Sequence, residues 1–208
     1  MKTKNIHGLY AITDSQLIPQ EHLVARVAEA IQGGAKVIQY RNKSNDAGLK
    51  SWEAMDLMTL CHTLNIPLII NDDVELAKQV NADGVHLGSD DCDIEQARQH
   101  LGDDKLIGVS CYNNFDNAID AVNRGADYIA FGRFFSSSTK PDAVQADLTL
   151  LQRAKKELSV PVVAIGGITP ENGTSLIEAG ADALAVIHGI FGQTDITAAA
   201  ARYAALFE

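Results

Sequence analysis

The chain has 208 residues, of which 46% are hydrophobic and 21% charged, a composition typical of a folded globular protein and not of a long disordered one. Its formal net charge of −10 repels nucleic acid and anionic membrane surfaces at long range, so any phosphate binding has to be local. The sequence has no signal-peptide stretch, no apolar run near the roughly 20 residues that cross a bilayer, and no disulfide framework among its three cysteines. We therefore expect a cytoplasmic protein without nucleic-acid or membrane partners.

Eight short apolar runs alternate with longer segments of helical spacing. Most of the runs are apolar throughout, as in parallel strands that are covered on both faces. In chain order the predicted strands are 8–13, 36–40, 67–70, 84–87, 106–110, 128–131, 162–165 and 183–187. A helix is predicted to start after Thr169, where a capping residue precedes Pro170.

A weak internal repeat marks the entry into every second predicted strand. The four copies are Gly34-Ala35-Lys36, Asn81-Ala82-Asp83, Gly125-Ala126-Asp127 and Gly180-Ala181-Asp182. Gly or Asn suits the left-handed position that closes a helix. Because no linker or change of composition divides the chain, we expect residues 1–208 to form a single α/β domain, a (β/α)8 TIM barrel; a doubly wound open sheet is the alternative. In such a barrel the active site lies at the carboxyl ends of the strands.

Polar side chains follow the second and third predicted strands. Gln39, Arg41 and Lys43 alternate after the second strand and can converge, which suits a polyphosphate and a polar ring, although a solvated salt-bridged loop would look the same. After the third strand come Asn71-Asp72-Asp73.

Carboxylates also follow the fourth strand, where the chain reads Gly88 to Asp93. Carboxylates on neighbouring strand ends can share Mg²⁺ with substrate phosphates. Asp73 and Asp93 are also explained as caps of the following helices. His86, within the fourth strand, is interpreted as a packed core histidine.

The remaining strand ends carry small, hydroxyl or basic residues. Ser110 follows the fifth strand and could donate a hydrogen bond, whereas nothing nearby in sequence would activate Cys111 as a nucleophile. The segment from Gly132 to about Asp147 contains a run of hydroxyls ending in Lys140, which suits a phosphate-binding lid or a disordered polar loop. Glycines after the seventh and eighth strands leave backbone N–H groups free for a phosphate.

In this order, the motifs resemble those of the thiamine-phosphate synthase family. The resemblance runs from Gly8 to about Gly189 through Gln39–Lys43, Ile70–Asp72, Gly84–Gly88, Gly108–Ser110, the loop from Gly132 to Lys140, and Ala164–Ile168. It implies a (β/α)8 enzyme that uses Mg²⁺ to join 4-amino-5-hydroxymethyl-2-methylpyrimidine diphosphate to 4-methyl-5-(2-phosphoethyl)thiazole. The products are thiamine phosphate and pyrophosphate, formed by a largely dissociative reaction.

The resemblance also implies a role for each motif residue. Gln39 would contact the pyrimidine and Ser110 would face its reacting side. The diphosphate would be held by Arg41, Lys43, Asn71 and Lys140. The Mg²⁺ ligands would be Asp72 and Asp91. The thiazole phosphate would be bound by Ser137, Thr139, Gly167 and the backbone near Ile187 and His188.

Several positions depart from the family pattern, and they keep alternatives open. The departures are Asn42 for Asp or Glu, Ser89 for Gln, Ser136-Ser137 for Pro-Thr, Tyr112 for His, and His188 for Ser. One alternative is a thiazole tautomerase-like paralogue, which would need the general acid–base that Tyr112 replaces. The other is a non-catalytic thiamine-phosphate-binding protein. A homo-oligomer is compatible with each function.

Overall fold

A computed structural model describes residues 6–89, 91–136 and 146–208. In this part of the chain eight parallel strands close into a barrel in sequence order, with the eighth strand paired to the first. This confirms the (β/α)8 fold and excludes the open sheet. The strands are β1 (Gly8–Ile12), β2 (Ala35–Tyr40), β3 (Leu68–Asn71), β4 (Gly84–Leu87), β5 (Leu106–Tyr112), β6 (Tyr128–Gly132), β7 (Val162–Ile165) and β8 (Ala183–Val186).

Helices follow the strands and form the outer layer. They are α1 (Leu23–Gln32), α2 (Ala47–Thr63), α3 (Val74–Gln79), α4 (Ile94–Leu101), α5 (Phe115–Asn123), α6 (Leu148–Glu157), α7 (Pro170–Glu178), α8 (His188–Phe191) and α9 (Ile196–Ala204), with short 3-10 turns at Gln20–His22 and Ala205–Phe207. No helix in the described ranges is long and apolar enough to span a membrane.

Side chains along each strand alternate between two apolar layers. On β1, Leu9 and Ala11 belong to the layer between strands and helices, whereas Tyr10 and Ile12 belong to the layer inside the barrel. Tyr10 and Tyr128 are the large side chains of the inner layer, and both are fully buried. Their hydroxyls therefore need hydrogen-bond partners inside the barrel.

Asp73 and Asp93 cap the helices that follow them, which confirms the second of the two interpretations given for them above. The Asp73 carboxylate accepts a hydrogen bond from the backbone N–H of Leu76 in α3. Asp93 does the same for two N–H groups of α4. The predicted start of α7 is also confirmed, with a capping box at Thr169 and Pro170 in the first helical position.

The sequence repeat corresponds to a clamp at the amino ends of the strands. Three aspartates that precede even-numbered strands each accept a hydrogen bond from an N–H at the start of the odd-numbered strand before them: Asp83 from Leu68 at 3.0 Å, Asp127 from Ile107 at 2.9 Å, and Asp182 from Val162 at 2.9 Å. The backbone N–H of each aspartate donates in return to the carbonyl of the same residue. Each aspartate thus joins the starts of two neighbouring strands at two points.

The burial of the thiols gives a first prediction. Cys61 and Cys111 are fully buried, and burial raises the pKa of each to about 12, with the charge of Asp83 adding to the effect at Cys61. Cys92 is partly exposed. Because the thiolate is the reactive form, iodoacetamide at pH 8 should modify Cys92 alone in the folded protein, as followed by mass spectrometry.

A Cys92→Ser variant provides the control for this measurement. It should take up label only after unfolding in denaturant. Labelling of the folded variant at the unfolded rate would contradict the burial of both remaining thiols.

Candidate active site

A cavity of about 190 Å³ opens at the carboxyl ends of the strands. Its walls include six polar or small residues from five different strands or strand ends: Gln39, Arg41, Asn71, His86, Ser110 and Gly166. Through Gly166 and its neighbours it adjoins a second cavity of about 410 Å³, lined by Gly167, Ile187 and His188. Gln39 and Ser110, predicted to contact the pyrimidine, and Gly167, Ile187 and His188, predicted to hold the thiazole phosphate, therefore line adjoining cavities.

The end of β2 directs two of the predicted residues into the first cavity. Gln39 is buried, and its Nε2 donates to the Tyr10 hydroxyl at 2.9 Å. The guanidinium of Arg41 donates from Nη1 to Asp14 Oδ2 at 3.0 Å, and its backbone N–H donates to the Thr13 hydroxyl. Sequence reasoning missed Asp14, although its place directly after the first strand was a usable signal.

Lys43 and the two predicted metal ligands form one charged cluster beside this cavity. Lys43 Nζ lies 2.5 Å from Asp72 Oδ2, and the Asp72 and Asp91 carboxyl groups are within hydrogen-bonding contact. The N–H of Gly88 donates to Asp91 Oδ2 at 2.6 Å. The predicted meeting of carboxylates from the third and fourth strand ends is therefore present in the structure. Of the three residues expected to converge after the second strand, Gln39 and Arg41 line the first cavity, whereas Lys43 lies with Asp72.

The backbone of Asp72 adopts an unusual conformation. Its φ is 64°, in the left-handed region that a residue other than glycine enters at an energetic cost. The Asp72 N–H donates to the His86 carbonyl at 2.8 Å, which helps to hold this geometry. Such local strain is common at functional sites, and here it directs the carboxylate toward Lys43 and Asp91.

The two carboxyl groups differ in their affinity for a proton. Burial alone would raise the pKa of Asp72, but the hydrogen bonds from Lys43 and Asp91 and the charge of Lys43 outweigh it and lower the pKa. At Asp91 partial burial raises the pKa, and the Asp72 carboxylate raises it further against the hydrogen bond from Gly88. A divalent cation would relieve this repulsion between two oxygen ligands, so the pair fits Mg²⁺.

The cation would need ligands beyond these two carboxylates. Within the described ranges, no group of three or more His, Cys, Asp or Glu side chains could hold a metal by itself. Mg²⁺ commonly binds through one or two carboxylates and completes its shell with water and substrate phosphates. The site therefore fits a metal that binds together with a phosphorylated substrate.

His86 corrects an expectation from the sequence, because it lines the cavity instead of packing only in the core. Its Nδ1 lies 3.1 Å from the Tyr128 hydroxyl and its Nε2 lies 2.9 Å from Ser110 Oγ. Burial lowers the pKa of His86 to about 4, although the charge of Asp72 acts in the opposite direction. The imidazole is therefore neutral at physiological pH.

Two departures from the family pattern contact each other at the mouth of the cavity. The Tyr112 hydroxyl lies 3.2 Å from Ser89 Oγ. A small residue at position 89 leaves space for the long side chain at position 112. Because Ser89 follows β4 and Tyr112 ends β5, 23 positions later, their pairing could not be predicted from one sequence.

The second cavity is lined by glycine backbone near Gly167 and Gly189 and, on another side, by the paired side chains of Glu171 and Arg202. Gly167 has a φ of 65°, and a Cβ there would lie 2.4 Å from the Ser136 carbonyl oxygen. The His188 and Gly189 N–H groups precede the first intrahelical hydrogen bond of α8, which joins Ile190 to Ile187. The His188 ring lies against Gly192, where a Cβ would come within 2.8 Å of Nε2.

Three of the predicted contacts, Ser137, Thr139 and Lys140, lie outside the described residues. The two flanks of that segment meet, since the Ala146 N–H donates to the Arg133 carbonyl at 2.7 Å. The roles of these three residues stay predictions.

Asn42 is the departure whose contacts explain the residue best. Its Nδ2 donates to Glu53 Oε2 at 2.8 Å, and the Tyr40 hydroxyl donates to the same oxygen at 2.6 Å. Its Oδ1 accepts the Ser44 N–H. Asn42 therefore satisfies the buried Glu53 while it holds the loop that carries Arg41 and Lys43.

Asn42→Asp should destabilise the fold, because it removes a donor and places a second carboxylate against Glu53. We expect unfolding by urea at pH 7 to show a loss of about 1–3 kcal/mol, the scale for an unsatisfied buried partner. Asn45→Asp, in the exposed part of the same loop, is the matched control and should stay within about 0.5 kcal/mol of the native protein. Equal stabilities for the two variants would refute this role of Asn42.

Comparison with known proteins identifies the family. The family model described as thiamine monophosphate synthase matches residues 9–190. A thiamine-phosphate synthase of Nitrosococcus oceani is 54% identical, with 97% of this chain and 93% of that protein covered. One of Alcanivorax borkumensis is 49% identical, covering 100% of this chain and 97% of that protein.

A solved structure agrees with these relatives. Thiamine phosphate pyrophosphorylase from Pyrococcus furiosus is 33% identical and superposes with a TM-score of 0.88, covering 98% of this chain and 96% of that one. The resemblance inferred from the motifs is confirmed over nearly the same residues. The chain belongs to the thiamine monophosphate synthase family and is an enzyme that forms thiamine phosphate.

Proposed function

We propose that this enzyme joins 4-amino-5-hydroxymethyl-2-methylpyrimidine diphosphate to 4-methyl-5-(2-phosphoethyl)thiazole and requires Mg²⁺ to do so. The observation that carries the proposal is the cluster of Lys43, Asp72 and Asp91, which adjoins, through Asn71, the cavity of about 190 Å³ whose wall includes Arg41. Cations together with a carboxylate pair suit a diphosphate and its metal. The adjoining cavity around Gly167 would take the second substrate.

The proposed reaction depends mainly on stabilisation of the leaving group. The bond between the pyrimidine methylene carbon and the diphosphate oxygen breaks, and its electron pair leaves with pyrophosphate. The lone pair of the thiazole nitrogen then forms the new carbon–nitrogen bond. Because the nitrogen carries no proton to remove, stabilisation of the leaving oxygens matters more than a general base.

The ends of β2 and β3 supply that stabilisation. Arg41, Lys43 and Asn71 would bind the diphosphate, and Lys140 is predicted to join them. Asp72 and Asp91 would hold Mg²⁺, which when bound supplies further positive charge to the leaving oxygens. In the structure Asp14 forms an ion pair with Arg41, and Asp72 forms one with Lys43. A bound diphosphate would replace Asp72 as the partner of Lys43.

The other proposed contacts fix the two rings. Gln39 would accept a hydrogen bond from the pyrimidine amino group, and Ser110 would face the reacting carbon. Gly167 and the backbone at Ile187 and His188 would bind the thiazole phosphate, together with Ser137 and Thr139. The His188 ring, lying against Gly192, is not needed for that contact.

The named relatives are synthases, which favours this reaction over the tautomerase and the non-catalytic binder. Tyr112 also donates to or accepts from Ser89 at the position where a tautomerase would need its histidine. A cytoplasmic location, the absence of nucleic-acid and membrane partners, a single domain over 1–208 and a homo-oligomeric state stay predictions from the sequence.

Asp72→Asn tests the metal proposal. Asn tolerates the left-handed backbone at this position, so the fold should be kept. Loss of the charge should lower the rate of pyrophosphate release by roughly 10²-fold or more, the scale of one preorganised electrostatic contact. The native enzyme should lose its activity in excess EDTA and regain it with Mg²⁺.

Asp73→Asn is the matched control for this variant. It makes the same change one residue away, and asparagine still caps α3. Its activity should stay near that of the native enzyme. Full activity of Asp72→Asn, or of the native enzyme without divalent cations, would exclude the proposed metal site.

Asp14→Asn tests whether Asp14 positions Arg41. A neutral amide keeps the hydrogen bond from the Gln16 N–H but loses the charge-assisted bond to the guanidinium. We expect kcat/KM for the pyrimidine diphosphate to fall by roughly 10- to 100-fold, as for the loss of one charged hydrogen bond. The KM for the thiazole phosphate should not change.

Glu29→Gln is the control for a lost ion pair, because it breaks the exposed pair with Arg26 far from the cavity. Its kinetics should match those of the native enzyme. If Asp14→Asn raised both KM values equally, Asp14 would support the fold in general and not Arg41.

A further inference from the structure

Five polar side chains form a continuous hydrogen-bonded chain through the interior of the barrel. Gln39 Nε2 lies 2.9 Å from the Tyr10 hydroxyl, and the Tyr10 and Tyr128 hydroxyls lie 2.9 Å apart. Tyr128 reaches His86 Nδ1 at 3.1 Å, and His86 Nε2 reaches Ser110 Oγ at 2.9 Å. The chain therefore connects the two residues that are proposed to contact the pyrimidine.

The middle of the chain is closed to solvent. Tyr10 is 1% exposed and Tyr128 is 0% exposed. Burial raises the pKa of both phenols, so each keeps its single proton. The His86 ring lies between two hydroxyls, and an imidazole that accepts from one and donates to the other carries a single N–H. Every member between the two ends thus has one hydrogen to donate and must accept one in return.

This count of hydrogens gives the chain a direction. Because Gln39 Nε2 donates to Tyr10, the Tyr10 hydroxyl donates to Tyr128 and the Tyr128 hydroxyl donates to His86 Nδ1. The imidazole N–H is then on Nε2 and donates to Ser110. At the two ends, Gln39 presents its carbonyl oxygen to the cavity and the Ser110 hydroxyl is free to donate into it.

If the donor and acceptor of one hydrogen bond in this chain exchange roles, they must do so in every other hydrogen bond of the chain. If the Gln39 amide turned over, Tyr10 would donate to its oxygen, Tyr128 would donate to Tyr10, and the imidazole would take its other tautomer. The Ser110 proton would then point to His86 Nε2 and away from the cavity. The imidazole loses a proton at Nε2 and gains one at Nδ1, so the number of protons in the chain is the same in both directions and the two ends are correlated.

We propose that Tyr10, Tyr128 and His86 are positioning residues that make the pocket select a 4-aminopyrimidine over its 4-oxo counterpart and align Ser110 only for the former. The inference rests on the proposed function. An amino group donates to the Gln39 carbonyl, which keeps the chain in the direction that lets Ser110 donate at the reacting side. A 4-oxo group accepts, so it favours the reversed amide and withdraws the Ser110 proton.

Two unreactive ligands test the proposal: 4-amino-5-hydroxymethyl-2-methylpyrimidine and its 4-oxo analogue, each measured by calorimetry at pH 7.5. The native protein should bind the amino ligand at least about 10²-fold more tightly, because the 4-oxo ligand reverses the chain and removes the Ser110 donor from the pocket, and a buried hydrogen bond left unmade rejects a ligand strongly. In Tyr128→Phe the ring still packs over Gly108, but the chain is cut. The preference should fall by about 10-fold, because the Gln39 amide can then turn over independently of Ser110.

Tyr10→Phe interrupts the chain at another bond and should reduce the preference in the same way. Tyr40→Phe is the matched control, because it removes a buried tyrosine hydroxyl on the helix side of the barrel. It should lower stability while it leaves the ratio of the two dissociation constants unchanged. An unchanged ratio in Tyr128→Phe and Tyr10→Phe would overturn the proposal.

Nitrogen-15 NMR of the native protein gives a test that needs no variant. The amino ligand should leave His86 with a proton on Nε2 and none on Nδ1. The opposite tautomer would overturn the assigned direction. If the native enzyme forms thiamine phosphate but its preference survives the cut chain, this inference alone fails. If the native protein binds neither pyrimidine and forms no product, the proposed function fails with it.

Discussion

Closing eight parallel strands into a ring brings all their carboxyl ends to one face, and this constraint decides where the chemistry of the protein can lie. Gln39, Asn71 and Ser110 come from strands that are far apart in sequence, yet they border one cavity. The amino ends face the opposite way, where Asp83, Asp127 and Asp182 clamp neighbouring strands. Stabilising contacts and functional contacts are thus separated by the direction of the strands.

The net charge of the whole protein is opposite in sign to the cationic side chains near its cavity. The chain carries a net charge of −10, although its proposed substrates are phosphorylated anions. Two of the cations near the cavity are held by local carboxylates: Arg41 by Asp14 and Lys43 by Asp72. Pairing keeps these side chains in place without a ligand. The attraction for a diphosphate is therefore short-ranged, and it is specific to a ligand that can exchange with a carboxylate.

Much of this arrangement could be predicted because it depends on local patterns. Continuous apolar runs predict the strands, and the capping role of Asp73 and Asp93 follows from their place before helices. What could not be predicted depends on contacts across the barrel. Tyr10 and Tyr128 are 118 positions apart, and the meeting of Arg41 with Asp14 depends on how β1 and β2 are paired. A single sequence indicates which side chains point into the barrel, but it does not show which of them contact each other.

The aspartate clamps have a consequence for how such a barrel can be assembled from parts. Each clamp joins an odd-numbered strand to the even-numbered strand that follows it, as Asp83 joins β4 to β3. A single strand–helix unit would leave this strand amide without its carboxylate partner, whereas two consecutive units supply both. The pair is therefore the smallest segment that contains a whole clamp, while the outer edges of its strands still pair with the neighbouring units. Duplication of a gene fragment of that size would add a quarter of the ring together with its own clamp.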